Sequence, residues 1–345
     1  MYRGNNSMKY SWLSVLFLVA LPVGAMEFPL CLYGVDKPAD LKTIKKAGFS
    51  CIQTYMQDPQ QLDKLAQAAK KYGLKTVFSP NKTWDSEYEQ KAHAWPMLAW
   101  YLVDEPDVNR WSRERVIEAH QKAKKAWPEH NTALVIGQGR TRIPFYDIPD
   151  AMMMDWYPVP HLPLTSFGDN VRYTKEGMAK THHESRPMWG VVQIFDWKEF
   201  KQYRPDNDRI GRFPTAKEIR FMSYDGIANG ATGLFYFIFT RKGVALPTAA
   251  PEYWERVRQS VREIARFVPY IEKGTPADNP VKMTSPFVMK TWQYKGKLYS
   301  LFLNTSDQAQ SVPAELLSKD YKPLYGTKKK SLMDGYDVWL LKKNK

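Results

Sequence analysis

The sequence predicts an α/β protein, a closed (β/α)8 TIM barrel followed by a small C-terminal β domain, from three observations. Eight short apolar runs recur between residues 30 and 239. Amphipathic helical patterns separate most of them, as crossovers between parallel strands require. No Gly-rich phosphate loop opens any of the helices, which disfavours a doubly wound open sheet. The 345 residues, 43% hydrophobic and 14% aromatic, leave room for one barrel of about 250 residues and a smaller unit.

Taken in order, residues 1–25 read as an export signal. Arg3 and Lys9 precede an apolar stretch over 12–21, and Val23-Gly-Ala25 supplies small residues for cleavage. That stretch is too short to span a bilayer comfortably, and no second one follows. The mature chain is expected to begin near Met26, in the periplasm or outside the cell, with no membrane attachment. The barrel is assigned to 26–274, with strands at 30–35, 50–56, 75–80, 97–103, 132–137, 151–157, 188–195 and 231–239. Helices are expected over 39–47, 59–72, 86–94, 112–126, 170–183, 215–229 and 251–271, whereas 139–149 is too short for a full helix. Beyond Gly274-Thr-Pro276 the period changes to alternation, at 287–293, 298–303 and 336–341, so 275–345 reads as a β-sandwich-like domain.

Charge and cysteines narrow the partners. The formal net charge is +14, of which Arg3 and Lys9 supply two. Such a charge favours anionic partners without naming them. Lysines such as Lys328-Lys-Lys330 read as a solvated face, and no nucleic-acid reader motif accompanies them. Cys31 and Cys51 fall in neighbouring strands, where an oxidising compartment permits a disulfide. Bridges between adjacent parallel strands are awkward, so two buried thiols are an equal alternative. With two cysteines and no clustered histidines, neither a metal nor an organic cofactor is expected.

In such a barrel chemistry belongs to the C-terminal ends of the strands. These ends offer Asp36, Tyr55, Asn81, Asp104 with Glu105, Gln138, Asp155 with Tyr157, Gln193 and Tyr236. The most informative stretch is Tyr101-Leu-Val-Asp-Glu-Pro106. An apolar run stops at two carboxylates and a proline, which ends pairing and should hold Glu105 extended. Beside aromatic rings the Glu105 carboxyl should bind its proton more tightly, as a general acid must. Asp104 could accept from a tyrosine or a sugar hydroxyl, orient Glu105, or simply form the turn.

These segments resemble the (β/α)8 glycoside hydrolases of clan A and their relatives, over about residues 28–273. The likeness is carried by Leu102-Val-Asp-Glu-Pro106, by Asp155-Trp-Tyr-Pro158, and by Pro214-Thr-Ala-Lys-Glu218 leading into Gly230-Ala-Thr-Gly-Leu234. It implies that Glu105 is the acid/base. It also implies a nucleophilic glutamate after strand seven, where this chain has Gln193, an amide that cannot form a glycosyl ester. The partner carboxylate is then Asp155 first, Asp196 second, or Asp36. A separation of about 5 Å would mean retention and about 6.5–9.5 Å inversion.

The surroundings suit a sugar. Tyr55, Tyr157, Trp197 and Tyr236 offer stacking faces, while Gln138, Gln193 and Asn81 can bind hydroxyls. Tyr33 and Trp100 lie within strands, where core packing is the simpler role. Basic loops containing Arg140, Arg142, Lys198, Lys201, Arg204, Arg209, Arg212, Arg241 and Lys242 suggest an acidic glycan, with a generally basic surface as the equal alternative. The expected activity is therefore an exported glycoside hydrolase acting on a polysaccharide or glycoconjugate. The alternative is a non-catalytic glycan-binding barrel that has lost its strand-seven nucleophile.

Overall fold

A computed structural model describes residues 27–140, 143–203, 211–241 and 243–344. The expected export signal, Arg142, Arg204, Arg209 and Lys242 lie outside the described residues. The eight parallel strands are β1 (Leu30–Leu32), β2 (Cys51–Gln53), β3 (Lys75–Phe78), β4 (Met97–Asp104), β5 (Thr132–Ile136), β6 (Ala151–Asp155), β7 (Met188–Gln193) and β8 (Gly233–Phe237). They close in chain order, with β8 returning to β1 through Leu30↔Leu234 and Leu32↔Tyr236. Each lies within the apolar run predicted for it, apart from β4, which runs one residue further, to Asp104.

Successive strand residues face opposite sides, so each strand divides its apolar residues between two cores. Cys31, Tyr33, Val77, Tyr101, Met153 and Trp189 fill the barrel interior. Leu32, Ile52, Trp100, Met154 and Leu234 point out, beneath the helices. Those helices are α1 (Leu41–Ala47), α2 (Pro59–Lys71), α3 (Glu89–Ala92), α4 (Arg113–Ala126), α5 (Ser166–Lys180), α6 (Ala216–Ala228), α7 (Leu246–Ala249) and α8 (Pro251–Glu272).

Their starts follow from the sequence. Asp58 and Ser112 accept from the third backbone amides of α2 and α4, and Thr215 with Glu218 forms a capping box on α6. The predicted helix over 86–94 shrinks to the single turn α3. Cys31 and Cys51 form a disulfide. The register sets them directly opposite, with Cα atoms 4.4 Å apart, at the short end of the range a bridge accepts.

The C-terminal unit is a five-stranded antiparallel sheet in the order Thr275–Ala277, Phe287–Tyr294, Lys297–Asn304, Val338–Asn344, Tyr321–Pro323. One face, with Trp292, Leu301, Leu303 and Leu340, joins the core beneath α6 and α8. The other, with Met289, Phe302, Trp339 and Leu341, packs with Val312, Leu316 and Met333. The second layer is thus only a two-stranded ribbon, Gln310–Ser311 with Leu332–Met333, and a helical turn. Arg220 ties the units together, pairing with Glu263 at 2.8 Å and donating to the Val338 carbonyl at 2.7 Å.

Candidate active site

The end of β4 departs from a regular strand. Tyr101 pairs with Ala133 and Asp104 with Val135, so three steps along β4 match two along β5. This extra residue reverses the alternation. Leu102 and Val103 both face outward. Tyr101 and Asp104 consequently share a face, and the Tyr101 hydroxyl donates to Asp104 Oδ1 at 2.5 Å.

Glu105 corrects one expectation. Its φ is +43°, in the left-handed region rather than extended. The reason is a tight turn: the Glu105 N–H still donates to the Val135 carbonyl at 3.1 Å, while its own carbonyl accepts from Val108 and Asn109 at 3.1 and 2.8 Å. The Asn109 side chain closes the turn by donating to the Asp104 carbonyl at 2.9 Å. A side chain held at positive φ costs on the order of 1–3 kcal/mol, and such strain gathers at functional sites. Gly137, just past β5, provides the bed for the carboxyl. A Cβ on it would lie 2.7 Å from Val108 Cγ2 and 3.0 Å from both Cδ and Oε1 of Glu105. Asp107 holds that bed in place by accepting from the Gly137 and Gln138 amides at 3.1 and 3.2 Å.

Facing Glu105 is Asp155, the last residue of β6, only 9% exposed. The charge of Glu105 reaches the Asp155 carboxyl. Tyr157 donates to Asp155 Oδ2 at 3.1 Å, whereas Oδ1 receives no donor among the described residues. Burial pushes the Asp155 carboxyl well above the usual carboxylate range, and the charges of Glu105 and Asp104 push the same way. Burial and a neighbouring acid both favour the neutral form of Asp155.

Aromatic rings enclose this pair. Tyr33 and Tyr101 meet edge to face at 6.2 Å, and Tyr157 stacks on Phe237 at 5.6 Å. Burial raises the Tyr33, Tyr101 and Tyr157 hydroxyls well above their ordinary value, so they stay protonated donors. Tyr55 is 45% exposed and packs on Tyr33 at 6.0 Å, presenting an open face at the mouth. Trp197 closes one side against Tyr157 and Phe195, at 6.2 and 5.1 Å.

Other expected site residues sit elsewhere. Tyr236 points out of the barrel, fully buried, its hydroxyl 3.0 Å from that of Ser223. The rim residue of β8 is Phe237, one position on. Gln193 has the inward orientation but is completely buried. Its amide accepts from the Val159 N–H at 2.9 Å and donates to the Val159 and Phe195 carbonyls. It therefore pins the loop after β6 instead of meeting a sugar. Asp196 accepts from the Lys198 amide at 2.9 Å at the start of the 3-10 turn Trp197–Tyr203.

Asp36 accepts from Thr54 at 2.6 Å, Asn81 stands exposed in the loop after β3, and Gln138 lies half-buried beside Gly137. Arg212 spends its fork on Glu218, at 2.7 and 2.6 Å, and Arg241 pairs with Glu199 at 3.0 Å. Sequence reading passed over Tyr101, Asp107, Gly137 and Phe237. Strict alternation from Phe235 would have found Phe237, but the β4 irregularity left no signal in the sequence.

Comparison with known proteins follows this geometry. No family model matches the sequence, and no curated protein is similar to it. Solved structures do match. The α-amylase of Geobacillus thermoleovorans, complexed with acarbose, superposes with a TM-score of 0.57 at 10% identity, covering 93% of this chain and 99% of that one. Amy13B of Eubacterium rectale gives 0.59 at 11%, with 93% and 96% covered. A GH30 endoxylanase of Clostridium papyrosolvens gives 0.54 at 11%, with 93% and 97% covered. The fold is that of (β/α)8-barrel glycoside hydrolases. Both the barrel and the C-terminal β unit fall within these alignments, since nearly the whole of each chain is spanned.

Proposed function

We propose that this chain is an exported glycoside hydrolase that cleaves an oligosaccharide or polysaccharide, with Glu105 as proton donor and Asp155 as its partner. One observation carries the reading: two neighbouring carboxyls, Glu105 and Asp155, delivered by β4 and β6 to the mouth of the barrel beside tyrosines. Departure of a glycosidic oxygen requires a proton donor, the role proposed here for Glu105. Several structural neighbours are described with acarbose, maltose or maltotriose bound, which supports a carbohydrate ligand. The Cys31–Cys51 bridge and the sequence of residues 1–25 support an oxidising, exported location.

The acidic-glycan idea loses part of its basis, because Arg212 and Arg241 are neutralised by Glu218 and Glu199. Binding of neutral and acidic oligosaccharides across a salt series decides it, and salt-insensitive binding of both removes it. The test of the main reading is Glu105→Gln. Turnover on a panel of oligosaccharides should fall by about 10²–10⁴-fold while calorimetric binding persists. Binding without turnover by the wild-type protein would instead favour the glycan-binding barrel, a reading kept open by the amide of Gln193.

A further inference from the structure

One wall of the mouth is a column of planar groups that ends on Asp155. Its outer member is Arg241, in the hairpin after β8 that pairs Thr240–Arg241 with Val244–Ala245. The Arg241 guanidinium lies over the Phe200 ring at 3.8 Å. Phe200 stacks on Phe237 at 6.1 Å and 24°, and Phe237 stacks on Tyr157 at 5.6 Å and 30°. The Tyr157 hydroxyl then donates to Asp155 Oδ2 at 3.1 Å. Phe195, fully buried, meets Tyr157, Phe200 and Phe237 edge to face at 4.9, 4.7 and 5.5 Å, and so keeps their spacing. At the outer end Glu199 pairs with Arg241 at 3.0 Å, and the Arg241 side chain is only 13% exposed. Arginine suits this place because its flat guanidinium stacks on a ring and meets a carboxylate at once, which a lysine ammonium does not.

We propose that Arg241 is a positioning residue for Asp155, setting the Tyr157 ring through Phe200 and Phe237 and with it the hydroxyl from which Asp155 accepts. Its kinetic consequence rests on the hydrolase reading above; its effect on Asp155 does not. Three segments meet in the column: the end of β6 with Tyr157, the turn after β7 with Glu199 and Phe200, and the end of β8 with Phe237 and Arg241. Around Asp155 stand Glu105 and Asp104 from β4, Tyr157 after β6, and Tyr33 and Tyr55 after β1 and β2. Burial and the two acids tighten proton binding by Asp155, whereas the Tyr157 hydrogen bond loosens it. Slackening the column should therefore move Asp155 in one direction, toward tighter proton binding.

Two variants of the full chain that leave its net charge unchanged test this role. Arg241→Lys keeps a cation beside Glu199 without the flat stack, and Phe200→Leu removes the ring between Arg241 and Phe237. The Asp155 carboxyl carbon, assigned by its loss in Asp155→Asn, is titrated by NMR, with melting followed in parallel. Both variants should raise the midpoint of the Asp155 transition. In a Tyr157→Phe background neither should raise it further, because the effect passes through the tyrosine. On a cleaved oligosaccharide kcat should fall about 10-fold with KM little changed, the scale of a small misplacement beside reacting atoms.

An unmoved Asp155 transition in either folded variant overturns the assignment and leaves the hydrolase reading intact, even where melting drops. So do shifts that add to that of Tyr157→Phe. A raised transition in a protein that cleaves nothing removes the hydrolase reading and keeps Arg241 as the residue that sets Tyr157. Should one variant fail to fold, the other decides alone.

Discussion

Glu105 occupies a backbone conformation that few side chains tolerate, and its carboxyl rests on the one residue type that leaves room for it. Gly137→Ala should therefore press on Val108 and displace the carboxyl by a few tenths of an ångström. Because catalytic geometry is sensitive to such shifts, kcat/KM should fall roughly 10–100-fold with melting temperature little changed; unchanged kinetics would remove Gly137 from the site. The pair also sets a pH signature. Burial and the charges of Glu105 and Asp104 favour the protonated form of Asp155, so Glu105→Gln should let Asp155 lose its proton at lower pH, which carboxyl carbon NMR checks.

Stability carries the complementary sign. A buried acid whose proton affinity is raised in the folded state stabilises below its unfolded value, near pH 4, and loses that contribution as pH climbs through the folded value. Asp155→Asn should raise the melting temperature more at pH 7.5 than at pH 4, which calorimetry at the two pH values checks. An equal change at both would show that Asp155 ionises normally.

At the scale of strands and loops, parity decides which residues meet. Tyr236 and Gln193 were both assigned to the mouth from their place near strand ends, and both lie elsewhere for different reasons. Tyr236 follows Leu234 on the outer face of β8, a distinction the alternation 234–237 already contained. Gln193 has the inward parity of Trp189 and Val191, but the Val159 backbone roofs it, a contact between distant segments that no local pattern encodes.

Asp155 and Tyr157 were legible because β6 is regular and its inward residues alternate without interruption from Ala151 to Asp155. The shared face of Tyr101 and Asp104 was not, since it depends on the irregular register against β5. Tyr236→Phe should cost about 1 kcal/mol of stability by breaking the contact with Ser223, and leave kcat/KM unchanged. A large kinetic defect would return Tyr236 to the site. Gln193→Leu should have the opposite profile, loosening the loop after β6 and impairing kcat/KM beyond its effect on melting.

For the molecule as a whole, the eight strands and most helices could be read from periodicity, because each buries one face against its neighbour in sequence. The disulfide could not be read, as it required the β1–β2 register to place Cys31 opposite Cys51. Closing a loop of this length is worth about 3 kcal/mol by the chain-entropy estimate, so the Cys31→Ala/Cys51→Ala pair should melt several degrees lower than the oxidised protein. Identical melting with and without reductant would remove the bridge.

The C-terminal sheet is bound to the barrel by a shared core and by Arg220, with Glu263 on α8 and the Val338 carbonyl as its partners. Arg220→Met would leave the Glu263 carboxylate uncompensated. A single calorimetric transition should then broaden or split as the two units separate.

The bare Cα of Gly137 also has an evolutionary consequence. The acid on β4 and the hydrogen atom that serves as a side chain at the end of β5 must be inherited together. A homologous chain that keeps a glutamate at the first position and a branched side chain where Val108 stands should favour glycine at the second. One that has acquired alanine or serine there should have trimmed the Val108 position or moved the glutamate.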